Sequence, residues 1–133
     1  MNAFNHLALN CWDLAAQEAF YTKIFGMKRS RTFNKGEPNE FIMLKLGTMR
    51  LELFPSNREK SAGMQGEEQP IGFKHLAFDV PRLEPFLEIL AAEGIEPGKI
   101  RDCSHVAPGL RVVFFRDPEG NTIELMEGYR DES

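Results

Sequence analysis

Two of the three histidines in this 133-residue chain lie in matching phrases, Asn5-His6-Leu7-Ala8-Leu9 and Lys74-His75-Leu76-Ala77-Phe78. Each is followed by a glutamate in a second matching pair, Leu51-Glu52-Leu53-Phe54 and Ile123-Glu124-Leu125-Met126. The histidines are 75−6 = 69 residues apart and the glutamates 124−52 = 72, so one internal repeat accounts for all four. Two imidazoles and two carboxylates make a mixed nitrogen and oxygen donor set suited to Zn, Ni, Co, Mn or Fe(II). In octahedral geometry that set leaves two positions for water or substrate oxygens. A lone strand histidine is more often structural, and a glutamate alternating with leucines usually faces solvent. The recurrence of all four at equivalent positions selects the metal. His105 has no counterpart, lies in a loop beside Pro108-Gly109, and is assigned to the surface.

Each half repeats one order of elements around these residues. Asp13 is a helix N-cap for an apolar-periodic run (Leu14, Phe20, Tyr21, Ile24) that stops at Gly26; Pro81 opens a second (Leu83, Phe86, Leu87, Leu90) that stops at Gly94. Three strand-like runs follow in each half: 27–34, 40–46 and 49–54, then 96–103, 110–116 and 121–126. Leu46-Gly47-Thr48 and Asp117-Pro118-Glu119-Gly120 supply the hairpin turns. The expected fold is therefore α+β: one domain over 1–133, with a β-α-β-β-β module at 1–54, a Ser/Gly/Glu/Gln-rich linker at 55–72 and a second module at 73–133. The two modules form a cupped mixed sheet around a metal-binding cavity.

Strand alternation then sorts the faces. Leu7 and Leu9, Leu51 and Leu53, Leu76 and Phe78, Ile123 and Leu125 share an aliphatic side suited to the helices. His6, Glu52, His75 and Glu124 share the other with small residues and aromatics, the lining of a pocket. Phe4, Phe54 and Phe73 are its expected aromatic walls, and Arg50, Arg111 and Lys74 are the nearby cations for an anionic substrate.

Composition narrows the remaining classes. A 42% hydrophobic content with 27% charged residues is that of a globular protein, and a net charge of −4 with scattered Lys and Arg offers no footprint for nucleic acid. No run is long and apolar enough for a membrane span, and Met1 to His6 lacks signal-peptide character. Cys11 and Cys103 have neither metal nor redox spacing. A cytoplasmic protein with a small-molecule partner is expected. Each module alone leaves a sheet edge and an apolar face open, which predicts a homodimer.

Two longer phrases carry a family resemblance: Phe20-Tyr21-Thr22-Lys23-Ile24-Phe25-Gly26-Met27, and Phe115-Arg116-Asp117-Pro118-Glu119-Gly120-Asn121-Thr122-Ile123-Glu124-Leu125. Both are similar to stretches of the vicinal oxygen chelate superfamily, which includes glyoxalase I, methylmalonyl-CoA epimerase, extradiol dioxygenases and fosfomycin or bleomycin resistance proteins. A His, Glu, His, Glu set resembles glyoxalase I most. The epimerase commonly has Gln at the position of Glu52, and the fosfomycin and dioxygenase proteins use three protein ligands. The resemblance implies a lyase or isomerase in which the metal chelates two adjacent substrate oxygens, Glu124 or Glu52 leaves it to take a proton next to the carbonyl, and the metal stabilises the enediolate. Where glyoxalase I has its glutathione contacts, four residues after the first His and the first Glu, this chain has Asn10 and Ser56. Asn10 thus joins Arg50, Phe54, Phe73 and Arg111 as an expected substrate contact, without implying glutathione. The alternatives are a metal-free, drug-sequestering resistance protein and an epimerase of the same superfamily.

Overall fold

A computed structural model describes residues 3–56 and 72–132. In chain order the elements are β1 (Leu7–Cys11), α1 (Leu14–Phe25), β2 (Lys28–Phe33), β3 (Phe41–Leu46), β4 (Met49–Pro55), β5 (Leu76–Asp79), α2 (Leu83–Ala92), β6 (Arg101–Asp102), β7 (Arg111–Arg116) and β8 (Thr122–Glu127). The chain divides at residues 62 and 63 into two units, each a β-α-β-β-β module. The fold is α+β, with two helices and two four-stranded mixed sheets among the described residues. Of the linker expected over 55–72, residues 57–71 lie outside the described residues, and Pro55 closes β4.

The first sheet has the order β1-β4-β3-β2, with β1 parallel to β4 and the other pairs antiparallel. Helix α1 begins where Asp13, in extended conformation, accepts the Ala16 N–H at 3.0 Å. It ends at Gly26, whose φ of 69° lets its N–H reach the Thr22 carbonyl. Phe20, Tyr21 and Ile24 are buried on this helix, as are Leu51 and Leu53 on β4, the aliphatic side of the sheet. Burial of such side chains is the main stabilising contribution. Met49 follows Leu46 after only two residues, Gly47 and Thr48, and Gly47 takes a positive φ of 57°.

The second sheet repeats this as β5-β8-β7-β6. Its core includes Leu83, Leu90, Val113, Phe115, Ile123 and Leu125. The β7–β8 turn is organised by buried Asp117, whose carboxylate accepts the N–H groups of Glu119 at 3.0 Å and Asn121 at 2.9 Å and the Asn121 side-chain amide at 2.8 Å. Helix α2 has no local side-chain cap. Glu127, at the end of β8, accepts the Leu83 N–H at 2.8 Å instead.

One element is shorter than its sequence suggests. The strand expected over 96–103 is confined to Arg101–Asp102. Pro97 has no N–H to give a ladder. Gly98 N–H still reaches the Phe114 carbonyl and Cys103 N–H that of Leu110, so the segment follows β7 with a shift in pairing between them. Cys11 and Cys103 are free thiols.

Candidate functional site

In each module the parallel strand pair positions one histidine and one glutamate. Ala8 pairs with Glu52 between β1 and β4, and Ala77 pairs with Glu124 between β5 and β8. His6 and His75 stand one residue before their strands and two before these alanines, so each projects to the face of its glutamate. Two small alanines leave room for that diagonal contact. His6 Nε2 lies 3.0 Å from Glu52 Oε2, and His75 Nε2 lies 2.7 Å from Glu124 Oε2. The carboxylates are largely covered, at 14% and 11% side-chain exposure, whereas the imidazoles stay more open at 37% and 27%.

The donors suit a divalent cation. Two atoms each about 2.1 Å from one ion at right angles stand about 3.0 Å apart, close to the separation in both pairs. The hydrogen bonding of His6 points the same way. Its Nδ1 lies 2.8 Å from Asn5 Oδ1, an acceptor, so Nδ1 carries the hydrogen. In the neutral ring Nε2 then presents a lone pair toward a carboxylate, an arrangement that a cation between them would satisfy. An outer hydrogen bond of this kind is what fixes the tautomer of a metal-binding histidine. His75 is oriented by an edge contact with Phe114, ring centres 5.7 Å apart. Each module offers a pair of donors; among the described residues no group of three or more His, Cys, Asp or Glu side chains gathers.

Around Glu52 the sheet face is arranged in cross-strand rows. Met43 pairs with Glu52, and Arg31 with Met43. On one side Phe33 stacks on Phe41 at 4.5 Å, and Phe41 on Phe54 at 4.2 Å; Asn10, exposed, pairs with Phe54. On the other side Lys28 pairs with Lys45, and Lys45 with Arg50. Around Glu124 the paired residue on β7 is Phe114, with the Arg101 guanidinium 5.5 Å from its ring centre.

The structure therefore brings Asn10, Arg50 and Phe54 to the face of Glu52. Arg111 is a correction. It lies on the same side of β7 as Val113 and Phe115, the helix side, where it binds Glu84 at 2.7 Å and Glu127 at 2.9 Å. These two carboxylates raise the Arg111 pKa, the hydrogen bond that Arg111 donates to Glu84 most. Phe4 and Phe73 precede their strands and are 77% and 89% exposed, so within their modules they build no wall. Lys74 and His105 are exposed as well. Sequence reasoning missed Asn5, Phe33, Phe41 and Phe114. The alternation in Phe41-Ile42-Met43-Leu44 carried the signal for Phe41, since it opposes the buried Ile42 and Leu44.

Comparison with known proteins supplies the context. The profile of the Glyoxalase/Bleomycin resistance protein/Dioxygenase superfamily matches residues 3–125. The uncharacterized protein YwkD of Bacillus subtilis is 30% identical, over 96% of this chain and 98% of its own. Lactoylglutathione lyase GLX1 of Arabidopsis thaliana is 28% identical over 93% of this chain, which spans 44% of that protein. Among solved structures, a glyoxalase family protein from Enterococcus faecalis superposes with a TM-score of 0.76 at 31% identity, covering 94% of this chain and 97% of that one. A fosfomycin resistance protein, FosX of Listeria monocytogenes, solved with Mn(II) and a dihydroxypropylphosphonic acid, shares the fold with a TM-score of 0.72. It is 18% identical, over 97% of this chain and 92% of that one.

Proposed function

The chain belongs to the Glyoxalase/Bleomycin resistance protein/Dioxygenase superfamily, and from that premise we propose a divalent-metal-dependent, glyoxalase I-like lyase or isomerase that transfers a proton next to a carbonyl. The observation that carries this reading is the repetition of one contact: histidine and glutamate 3.0 Å apart in the first module and 2.7 Å in the second, in the same register. His6, Glu52, His75 and Glu124 would hold the ion, the two pairs being combined within one chain or across a homodimer. When bound, Zn, Ni, Co, Mn or Fe supplies Lewis-acid polarisation of a substrate oxygen. The Mn(II) bound by a protein of this fold supports such an ion here.

The remaining chemistry belongs to side chains. Glu124 or Glu52 takes the proton from the carbon beside the carbonyl and returns it to the neighbouring one, the task of a covered carboxylate held against a reacting carbon. Asn5 holds the His6 ring so that Nε2 is free to bind. Asn10, Arg50 and Phe54 flank Glu52 and would orient the substrate. The relation to lactoylglutathione lyase supports a thiol adduct of a 2-oxoaldehyde as substrate. Asn10 and Ser56 leave the identity of the thiol to experiment. We place this activity in the cytoplasm, where the two free thiols stay reduced.

The test offers methylglyoxal together with a series of thiols to the metal-loaded protein in deuterated buffer. Turnover, or exchange of the substrate carbon-bound hydrogen with solvent, is expected for at least one adduct and is lost in Glu124→Gln. Stoichiometric metal without exchange on any adduct would contradict the proposal.

The stack of Phe33, Phe41 and Phe54 favours a second reading, sequestration of an aromatic drug without metal. Aromatic ligand binding that survives His6→Ala with Glu124→Ala would select it.

A further inference from the structure

Among the described residues, the strands of the first sheet carry four cations on the face of Glu52, Lys28, Arg31, Lys45 and Arg50, and no second carboxylate. Three of them stand side by side in one row across β2, β3 and β4, Lys28 opposite Lys45 and Lys45 opposite Arg50. Directly opposed like charges lie about 5 Å apart at Cβ and destabilise a sheet. An overall charge of −4, with 20 acidic residues, gave ample means of neutralising them. The helix sides use those means. Arg29, whose ladder position is on that side, is held by both oxygens of Glu18 at 2.6 Å, and Arg111 is held by Glu84 and Glu127. Among the described residues Lys28, Lys45 and Arg50 have no carboxylate partner, and Arg50 donates to the Thr48 carbonyl of its own turn, at 3.4 Å.

The second module shows that the fold does not require this row. At the repeat positions of Lys45 and Arg50 stand Arg116 and Thr122, which pair with each other, and Arg116 donates to the Gly120 carbonyl at 2.8 Å. The cationic row is thus particular to one half of a duplicated fold. It also leads to the candidate ligand. Arg50 is two residues from Glu52 on β4, and His6 immediately precedes Leu7, which pairs with Leu51.

We infer that Lys28, Lys45 and Arg50 form an anion subsite, and that the substrate carries a phosphate or a dicarboxylate. This rests on reading the His6–Glu52 face as the substrate face. Two residues along a strand span about 7 Å, and successive strands are about 4.8 Å apart. The anionic group therefore sits roughly three to six bonds from the carbons that Glu52 faces. Three cations that no carboxylate pairs with among the described residues suit a doubly charged oxyanion better than a single carboxylate.

Inorganic phosphate and malonate, titrated separately into the metal-free full-length protein and followed by amide chemical shifts, test this apart from any metal or activity. Saturable shifts centred on Lys28, Lys45 and Arg50 are expected for at least one of the two anions, and the one that binds tighter identifies the class. Lys45→Gln and Arg50→Gln should each weaken that binding about tenfold, the loss of one charge-assisted hydrogen bond, while Lys35→Gln leaves it unchanged. Shifts centred elsewhere, no saturation with either anion, or equal affinity in all three variants would overturn the inference. A protein that binds the anion but no metal would refute the proposed chemistry and leave the subsite standing.

Discussion

The Nε2 of His75 lies 2.7 Å from the Oε2 of Glu124, and that carboxylate is at once among the most covered acidic groups of its module and the one opposite the smallest residue of β5, Ala77. Room beside the carboxylate is part of the arrangement. Ala77→Val and Ala8→Val would fill the space through which each histidine meets its glutamate. Both variants are expected to keep the fold, since Ala8 and Ala77 are exposed. Both should lower metal affinity at least about tenfold, read by competition with a chelating dye.

The second prediction concerns the histidine tautomer. Asn5 donates nothing to the ring; it accepts from Nδ1, which in the neutral ring leaves Nε2 as the nitrogen without a hydrogen. Asn5→Ala should weaken metal binding by about 10- to 100-fold, the range for an outer hydrogen bond to a ligand. Thermal stability without metal should be almost unchanged, because the contact is exposed. Equal metal affinity in Asn5→Ala and the parent would remove Asn5 from the site.

A third prediction follows from the distant cap of α2. Glu127 accepts both the Leu83 N–H and the Arg111 guanidinium, so Glu127→Ala strips the helix of its N-terminal acceptor and leaves part-buried donors unmet. A loss of about 1–3 kcal/mol in urea unfolding is expected. Asp117→Ala should cost a similar amount, since it removes three acceptor contacts from one turn.

The same network sets a pH dependence. The hydrogen bond from Arg111 is the main cause that holds the Glu84 carboxyl below its ordinary value of 4.5. A depressed carboxylate stabilises the fold above its unfolded value, and that contribution is lost as the pH falls from about 4.5 through the folded value. Glu84→Gln should therefore flatten the stability profile below that pH and leave its slope near neutrality unchanged. An identical acid limb in the variant would count against this pairing.

What the sequence made legible was whatever depends on a period of two. Alternation placed Leu51, Leu53, Ile123 and Leu125 in the core and Glu52 and Glu124 on the opposite face, and the repeat tied each glutamate to its histidine. Arg111 lies within reach of the same rule, because it shares its side of β7 with Val113 and Phe115 and not with Phe114. Cross-strand neighbours were not legible. The Lys28–Lys45–Arg50 row depends on register, and the pairing of β2 with β3 shifts by one residue between Arg29 and Arg31. The cap that Glu127 gives to Leu83 joins residues 44 apart, beyond any local capping signal. Pro97 was present to shorten β6, and its missing N–H outweighed the strand-like run around it.

The most direct test of the central claim is the metal content of the protein purified without chelator, measured beside His6→Ala, Glu52→Ala, His75→Ala and Glu124→Ala. One divalent ion per His, Glu, His, Glu set is expected in the parent, with loss of that ion in each of the four variants while the far-ultraviolet dichroism stays the same. A parent without stoichiometric metal, or full metal retention in any one of the four folded variants, would contradict the assignment.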